Sequence, residues 1–235
     1  DAQSMGDGAE GFYPGGFGFY QKKFVLSEEE AKGAVYLSVD GAYRFTEVRL
    51  NRELTQMHRG GYSPFLVDLT GKVLPGENVL HITCSCAMLP GSRWYTGGGL
   101  YRGVNLVSVS DSHFDLTHHG DDGAWARSVP SGKNFLLHMH AYVTNPAPDM
   151  TVQFSLMGCD GRAIGEAYAP AEAHCTASLL VIQPHLWDGV KDPFLYTVTA
   201  RLIRRNEVID EISFVHGFRT FSVDPQKGFI LNGEE

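Results

Sequence analysis

The chain has 235 residues, a formal net charge of −8 and 43% hydrophobic residues, a length that exceeds one domain of about 100–150 residues and predicts two. The acidic balance argues against a nucleic-acid partner, because phosphate binding needs a basic surface and no Lys/Arg cluster stands out beyond Arg204-Arg205, which reads as a hairpin turn. No apolar run approaches the roughly 18 residues of a membrane span, and Asp1-Ala2-Gln3-Ser4-Met5 has neither a basic region nor an apolar signal core.

Alternation of apolar and polar residues runs through the chain, and no window of a dozen residues sustains a helical period, so the expected class is all-β. Glu28-Glu29-Glu30-Ala31 hints at a helical turn and is read as a loop between strands. Val35, Leu37 and Val39 set one inward row, followed by Val48 and Leu50, then Phe65, Val67 and Leu69, then Leu80, Ile82 and Cys84. Three consecutive glycines, Gly97 to Gly99, precede a run in which Val104 and Leu106 have one phase and Val107 and Val109 the other; the slip predicts a bulge or bend. The pattern lapses near 111–118, ahead of His118-His119-Gly120-Asp121-Asp122-Gly123, and marks a boundary. Beyond it, Phe135, Leu137, Met139, Ala141 and Val143 share one face while His138, His140 and Tyr142 share the other. Met150, Val152, Phe154 and Leu156 form a further row, and Phe194, Tyr196, Val198, Ala200 and Leu202 another. The expected architecture is a jelly-roll sandwich over 1–113, an immunoglobulin-like sandwich over 114–224, and a linker or first strand of another domain over 225–235.

The four cysteines are too few and scattered for a disulfide framework. Cys84 and Cys86 lie two apart in a strand, poor geometry for a bridge and the wrong spacing for a zinc knuckle. All four read as reduced thiols, which leans toward a cytoplasmic compartment. His138 and His140 share a strand face, but no Asp or Glu alternates with them, and no obligatory metal or cofactor is expected.

Ser92-Arg93-Trp94-Tyr95-Thr96-Gly97-Gly98-Gly99-Leu100-Tyr101-Arg102-Gly103-Val104-Asn105-Leu106 resembles the signature loop of glycoside hydrolase family 2. Further segments resemble the same family in the same order: Pro14-Gly15-Gly16-Phe17-Gly18-Phe19-Tyr20-Gln21-Lys22-Lys23-Phe24, then His58-Arg59-Gly60-Gly61-Tyr62-Ser63-Pro64-Phe65 with Asp68-Leu69-Thr70, then Asn78-Val79-Leu80. Leu186-Trp187 with Pro193-Phe194-Leu195-Tyr196, Gly217-Phe218-Arg219-Thr220, and Phe229-Ile230-Leu231-Asn232-Gly233 complete the set. Two departures stand out. Asn51-Arg52 replaces an Asn-Gly pair, which costs a tight turn. Gly103 follows Arg102 where an aspartate is common, so an ion pair is missing.

The resemblance implies a β-galactosidase or β-glucuronidase type of retaining glycosidase. Retention needs two carboxyl groups about 5 to 5.5 Å apart, which family members carry in a (β/α)8 barrel. That barrel would begin near Phe229 to Gly233, so no catalytic residue is assigned; Glu234 and Glu235 read as solvated charges. The resemblance implies a jelly roll without its opening strand, leaning over the barrel mouth. Its substrate-contact candidates are Arg93, by charge-assisted hydrogen bonds to hydroxyls, Trp94, by stacking on a pyranose, and Asp1, as the aspartate of a His-Asp motif. A scaffold role stays open for Arg93 and Trp94, and a solvated terminus for Asp1. Trp187 reads as an apolar plug at one end of the second sandwich. The implied partners are carbohydrate through the full-length enzyme, the chain's own catalytic barrel and a second copy in an oligomer. A free-standing carbohydrate-binding module is the alternative.

Overall fold

Strand pairing follows the inward rows. The computed structural model of the chain describes residues 16–87, 97–118 and 123–234, and the chain divides into two units, Asp1–Asp111 and Ser112–Glu235. The first contains β1 (Phe17–Leu26), α1 (Glu28–Lys32), β2 (Ala34–Val39), β3 (Ala42–Tyr43), β4 (Phe45–Leu50), β5 (Glu53–Arg59), β6 (Phe65–Asp68), β7 (Gly76–Ser85), β8 (Gly99–Leu100) and β9 (Val104–Val109). One sheet has the order β1-β7-β4-β5, a second β6-β2-β9, and β3 pairs with β8. All these ladders are antiparallel, and β1 meets β7 across most of the unit's sequence, the non-local pairing of a jelly roll. Leu37, Val39, Val48, Leu50, Val67, Leu69, Leu80, Ile82 and Cys84 are buried together between the sheets. Their removal from water is the main stabilising term, at about 1.5–3 kcal/mol for each large aliphatic side chain.

Three local expectations are corrected. Glu28–Lys32 is a short α-helix rather than a loop: the Ser27 hydroxyl accepts a hydrogen bond from the Glu30 amide, and the Glu30 carboxylate accepts one from the Ser27 amide. This reciprocal cap satisfies two helix-end donors. Asn51-Arg52 keeps the tight turn between β4 and β5, because both residues take left-handed backbone angles, φ 49° and 76°. The Asn51 side chain also accepts from the Val79 amide and donates to Asn78. Asn78, fully buried, bonds in turn to the backbone of Leu74 and Gly76, so no polar group of this turn is stranded. Finally, β9 pairs with β2 in unbroken register from Val39↔Val104 to Ala34↔Val109, with no bulge. The change of apolar phase there arises because β9, an edge strand among the described residues, has neither face fully buried: Leu106 is exposed, while Val107 and Val109 are half-buried.

The second unit contains β10 (His113–Phe114), β11 (Ala124–Ser131), β12 (Asn134–Thr144), β13 (Met150–Gly158), β14 (Ala163–Pro170), β15 (His174–Val181), β16 (Tyr196–Arg204), β17 (Glu207–His216), β18 (Phe221–Asp224) and β19 (Gly228–Leu231). β12 lies between β11 and β15, with β10 continuing the ladder at its end. The facing sheet runs β14-β13-β16-β17. This three-on-four sandwich is immunoglobulin-like, with β14 in the sheet of β13, β16 and β17. The predicted rows meet in its core: Leu137, Met139 and Ala141 from β12, Val152 and Phe154 from β13, and Val198, Ala200 and Leu202 from β16 are all fully buried. Arg205 and Asn206 form the left-handed turn between β16 and β17, as the hairpin reading of Arg204-Arg205 expects. Asp149 pairs with the Arg204 guanidinium at 2.9 Å, and this contact holds its carboxyl below the usual carboxylate range. All four cysteines are free thiols. Among the described residues no helix is long and apolar enough to cross a membrane.

Candidate functional site: the foot of the glycine loop

Arg93, Trp94 and Asp1 lie outside the described residues. The structure does describe the foot on which the glycine loop stands. Gly99 and Leu100 form β8, against Tyr43 and Ala42 of β3. Gly99 has φ +84°, a conformation that favours glycine, and a Cβ there would come within 2.1 Å of the Tyr20 hydroxyl, which would have to shift. That hydroxyl accepts a hydrogen bond from the Leu100 amide at 3.1 Å and fastens the loop to β1. Tyr101 donates its hydroxyl to the Gly61 carbonyl at 2.6 Å. At Gly61 a Cβ would come within 2.1 Å of the buried Tyr43 ring, and the rings of Tyr43 and Tyr62 lie 5.6 Å apart.

Three segments quoted for their order in the sequence therefore meet at one place: the approach to β1, the His58-to-Phe65 hairpin and the triple-glycine loop. Tyr20, Tyr62 and Tyr101 stay exposed there. The Arg102 guanidinium lies 5.5 Å over the Tyr101 ring. Exposed phenol rings with nearby guanidinium groups are the chemistry that holds sugars, by stacking on C–H faces and bonding to hydroxyls. These tyrosines lie within the family-like segments but not among the expected site residues Arg93, Trp94 and Asp1; the signal in the sequence is a tyrosine close to glycines in each segment. Gly103 also has a local reason. A Cβ there would sit 2.7 Å from an Asp40 carboxylate oxygen, and an aspartate side chain would bring a second negative charge onto it.

The motifs of the second unit converge in a separate cluster. The Trp187 amide donates to the Phe218 carbonyl, and the Asn232 side chain donates to the Trp187 carbonyl at 3.0 Å and accepts from the Thr220 amide. The Arg219 guanidinium lies 4.9 Å over the half-buried Trp187 ring. Phe218, fully buried, meets Phe135 and Tyr196 edge to face. The tail strand β19 folds back on β18 with Phe221↔Leu231 in register, so Asn232 ties this hairpin to the sandwich.

Many described carboxylates are committed to local structure: Glu47 to Arg49, Glu211 to Arg201, Asp149 to Arg204, Asp192 to His185, and Asp210 to the Phe114 amide. Among the described residues no three His, Cys, Asp or Glu side chains are grouped to hold a metal. His138 and His140 face away from the core on β12, where His138 bonds to the Ser178 hydroxyl and His140 to His174.

The sequence profile of glycosyl hydrolases family 2 matches residues 139–219. Beta-galactosidase BoGH2A of Bacteroides ovatus is 34% identical over 96% of the chain. Along nearly all its length the chain resembles glycosyl hydrolases family 2. Among solved structures, a beta-glycosidase from Bacteroides vulgatus superposes over 100% of the chain with a TM-score of 0.90 at 26% identity. An FMN-binding beta-glucuronidase from Facaelibacterium prausnitzii L2-6 superposes over 96% with a TM-score of 0.86 at 34% identity. The chain spans 27% of the Bacteroides ovatus protein, and 30% and 36% of the two solved chains. The likeness thus extends along nearly all of this chain and about a third of its relatives.

Proposed function

We propose that this chain is the non-catalytic front of a retaining β-galactosidase-like glycosidase, in which the jelly roll and the immunoglobulin-like sandwich buttress a catalytic barrel and shape its substrate entrance. The supporting observation is the asymmetry of coverage: 96% of this chain aligns with a beta-galactosidase of which it spans 27%. The chemistry of hydrolysis resides in the remainder, and this part contributes walls. The foot of the glycine loop fits that task, because Tyr20, Tyr43 and Tyr101 fix the loop's base by contacts only glycine permits. Arg93 and Trp94, just before this base in the sequence, are the side chains proposed to meet sugar. The cluster of Trp187, Arg219 and Asn232 fits the other task, anchoring the exit hairpin from which further chain continues.

In the parent enzyme, Arg93→Ala and Trp94→Ala are expected to raise KM for an aryl β-galactoside about tenfold or more, with smaller loss in kcat, as removal of binding common to ground and transition states does. The isolated chain is expected to give no turnover. Unchanged KM in both variants removes the loop from the substrate entrance, and hydrolysis by the purified 235-residue chain overturns the division of labour.

A free-standing carbohydrate-binding module is the second reading, favoured by the exposed Tyr62 and Tyr101 rings. Calorimetric titration with galactose and β-galactosides separates the two: saturable binding by the isolated chain supports a module, and none supports half of a composite site.

A further inference from the structure

The outer face of the β11-β12-β15 sheet carries a ridge of aromatic rings remote in sequence from the glycine loop. Trp125 stacks on His140 at 3.9 Å, His140 lies 5.4 Å from His174, His174 stacks on Tyr142 at 4.6 Å, and Tyr142 stacks on His118 at 3.5 Å. The interplanar angles along this series are 7°, 13°, 9° and 26°. Strand register produces the row, since Trp125↔His140 and Tyr142↔His174 are cross-strand pairs on the face opposite Leu137, Met139 and Ala141. Rings that stack on one another have little face left for a pyranose. What the ridge offers a ligand is ring edges, and the edges at its centre are imidazole nitrogens.

His140 Nδ1 and His174 Nε2 face each other at 3.2 Å. We infer that this pair binds one divalent transition-metal ion of the nickel, copper or zinc class through both imidazoles, with water in the remaining positions. Two nitrogens each about 2.05 Å from one ion stand about 3.4 Å apart at a tetrahedral angle and about 2.9 Å apart at a right angle. The observed separation falls between these values, so the two nitrogens need not move apart to share an ion. Binding turns each ring by about 40°, so that its lone pair leaves the line joining the nitrogens and the two meet at the ion. The hydrogen bond in the metal-free pair requires a proton on one of the facing nitrogens. Binding moves that proton to the same ring's other nitrogen, a change of tautomer with no net proton transfer when both rings are neutral. Imidazole donors suit zinc, nickel and copper over magnesium or calcium, which prefer oxygen. Two protein ligands make an open site that the fold does not need for stability, so the sandwich forms without it.

Trp125 supplies the readout, because a paramagnetic ion on His140 lies close enough to quench its fluorescence. The tag-free chain is titrated with Ni2+ by fluorescence and with Ni2+ and Zn2+ by calorimetry. One ion per chain in the micromolar range is expected, weakened about tenfold or more in each of His140→Gln and His174→Gln. Trp125→Phe is expected to lose the quench while keeping the calorimetric affinity. Binding that saturates only above the millimolar range, or equal binding by the two glutamine variants, overturns the site. A measurement on the unsubstituted chain guards against misfolded variants: Zn2+ should shift the ring nitrogen resonances of His140 and His174, and shifts confined to other histidines overturn it equally.

Discussion

Single residues decide whether the turns of this fold are tight. Arg52 sits at φ 76° in the β4–β5 turn, a region where a side chain costs about 1–2 kcal/mol. Its carbonyl accepts from the Arg49 guanidinium, a contact that glycine would preserve. Arg52→Gly is therefore expected to stabilise the first unit by about 0.5–1 kcal/mol after the greater entropy of unfolded glycine is subtracted. A urea midpoint that rises at constant slope is the expected result, and an unchanged or lower one contradicts it. Gly61 is the opposite case. A methyl group there meets the ring of Tyr43, which is 9% exposed and has nowhere to go. Gly61→Ala should cost about 2–3 kcal/mol in the same experiment. The two positions differ in how far the sequence reveals them. Asn51-Arg52 departs from Asn-Gly, yet left-handed geometry persists because the Asn51 and Asn78 side chains hold the turn from the β7 side. That support comes from a strand about twenty-five residues away, out of reach of a local turn rule.

At the scale of elements, the inward rows were legible because burial on one strand face imposes a period of two. The rows read from β2, β4, β7, β12, β13 and β16 all lie in the two cores. The short helix was missed: Ser27 and Glu30 have the spacing of a reciprocal cap, but with no buried residue the segment gave no hydrophobic period to set beside it. The β9 run was misread for a related reason: alternation identifies a face only when a face is buried. Site assembly was the least legible feature, since Tyr20, Gly61 and Gly99 meet through strand pairing that no spacing encodes. The β18–β19 hairpin illustrates how one side chain can hold an element. Asn232→Ala removes a bond to the Trp187 carbonyl and one from the Thr220 amide, at about 1–2 kcal/mol. The expected signature is faster hydrogen exchange at the Thr220 amide with unchanged exchange along β12; uniform acceleration would mean the residue supports the whole sandwich instead.

For the molecule as a whole, acid sensitivity follows from histidines kept neutral. His58 in the first unit and His216 in the second have buried Nε2 atoms without a hydrogen-bond partner. Burial lowers the pKa of both, with Arg219 adding to the effect at His216. The unfolded chain, with histidine near 6.5, then binds more protons than the folded one. Their contribution to stability is complete above about pH 6.5 and is lost as pH falls toward the lower folded values. Both units should melt at lower temperature at pH 5.5 than at pH 8, well before the paired carboxylates of Glu30 and Asp149 titrate, and His216→Phe should flatten the dependence in the second unit. Melting temperatures that do not move over this range would mean that the rings find partners in solution. The edge strand β9 has a consequence of another kind. Among the described residues its only ladder partner is β2, and it shows Leu106 to solvent with no lysine or proline along its length. Strand edges of this sort are templates for strand addition between molecules, so the colloidal behaviour of the protein is governed by whether β9 is covered. Left uncovered, that edge lets one copy of the chain recruit the next, and the strand becomes a seed for aggregation.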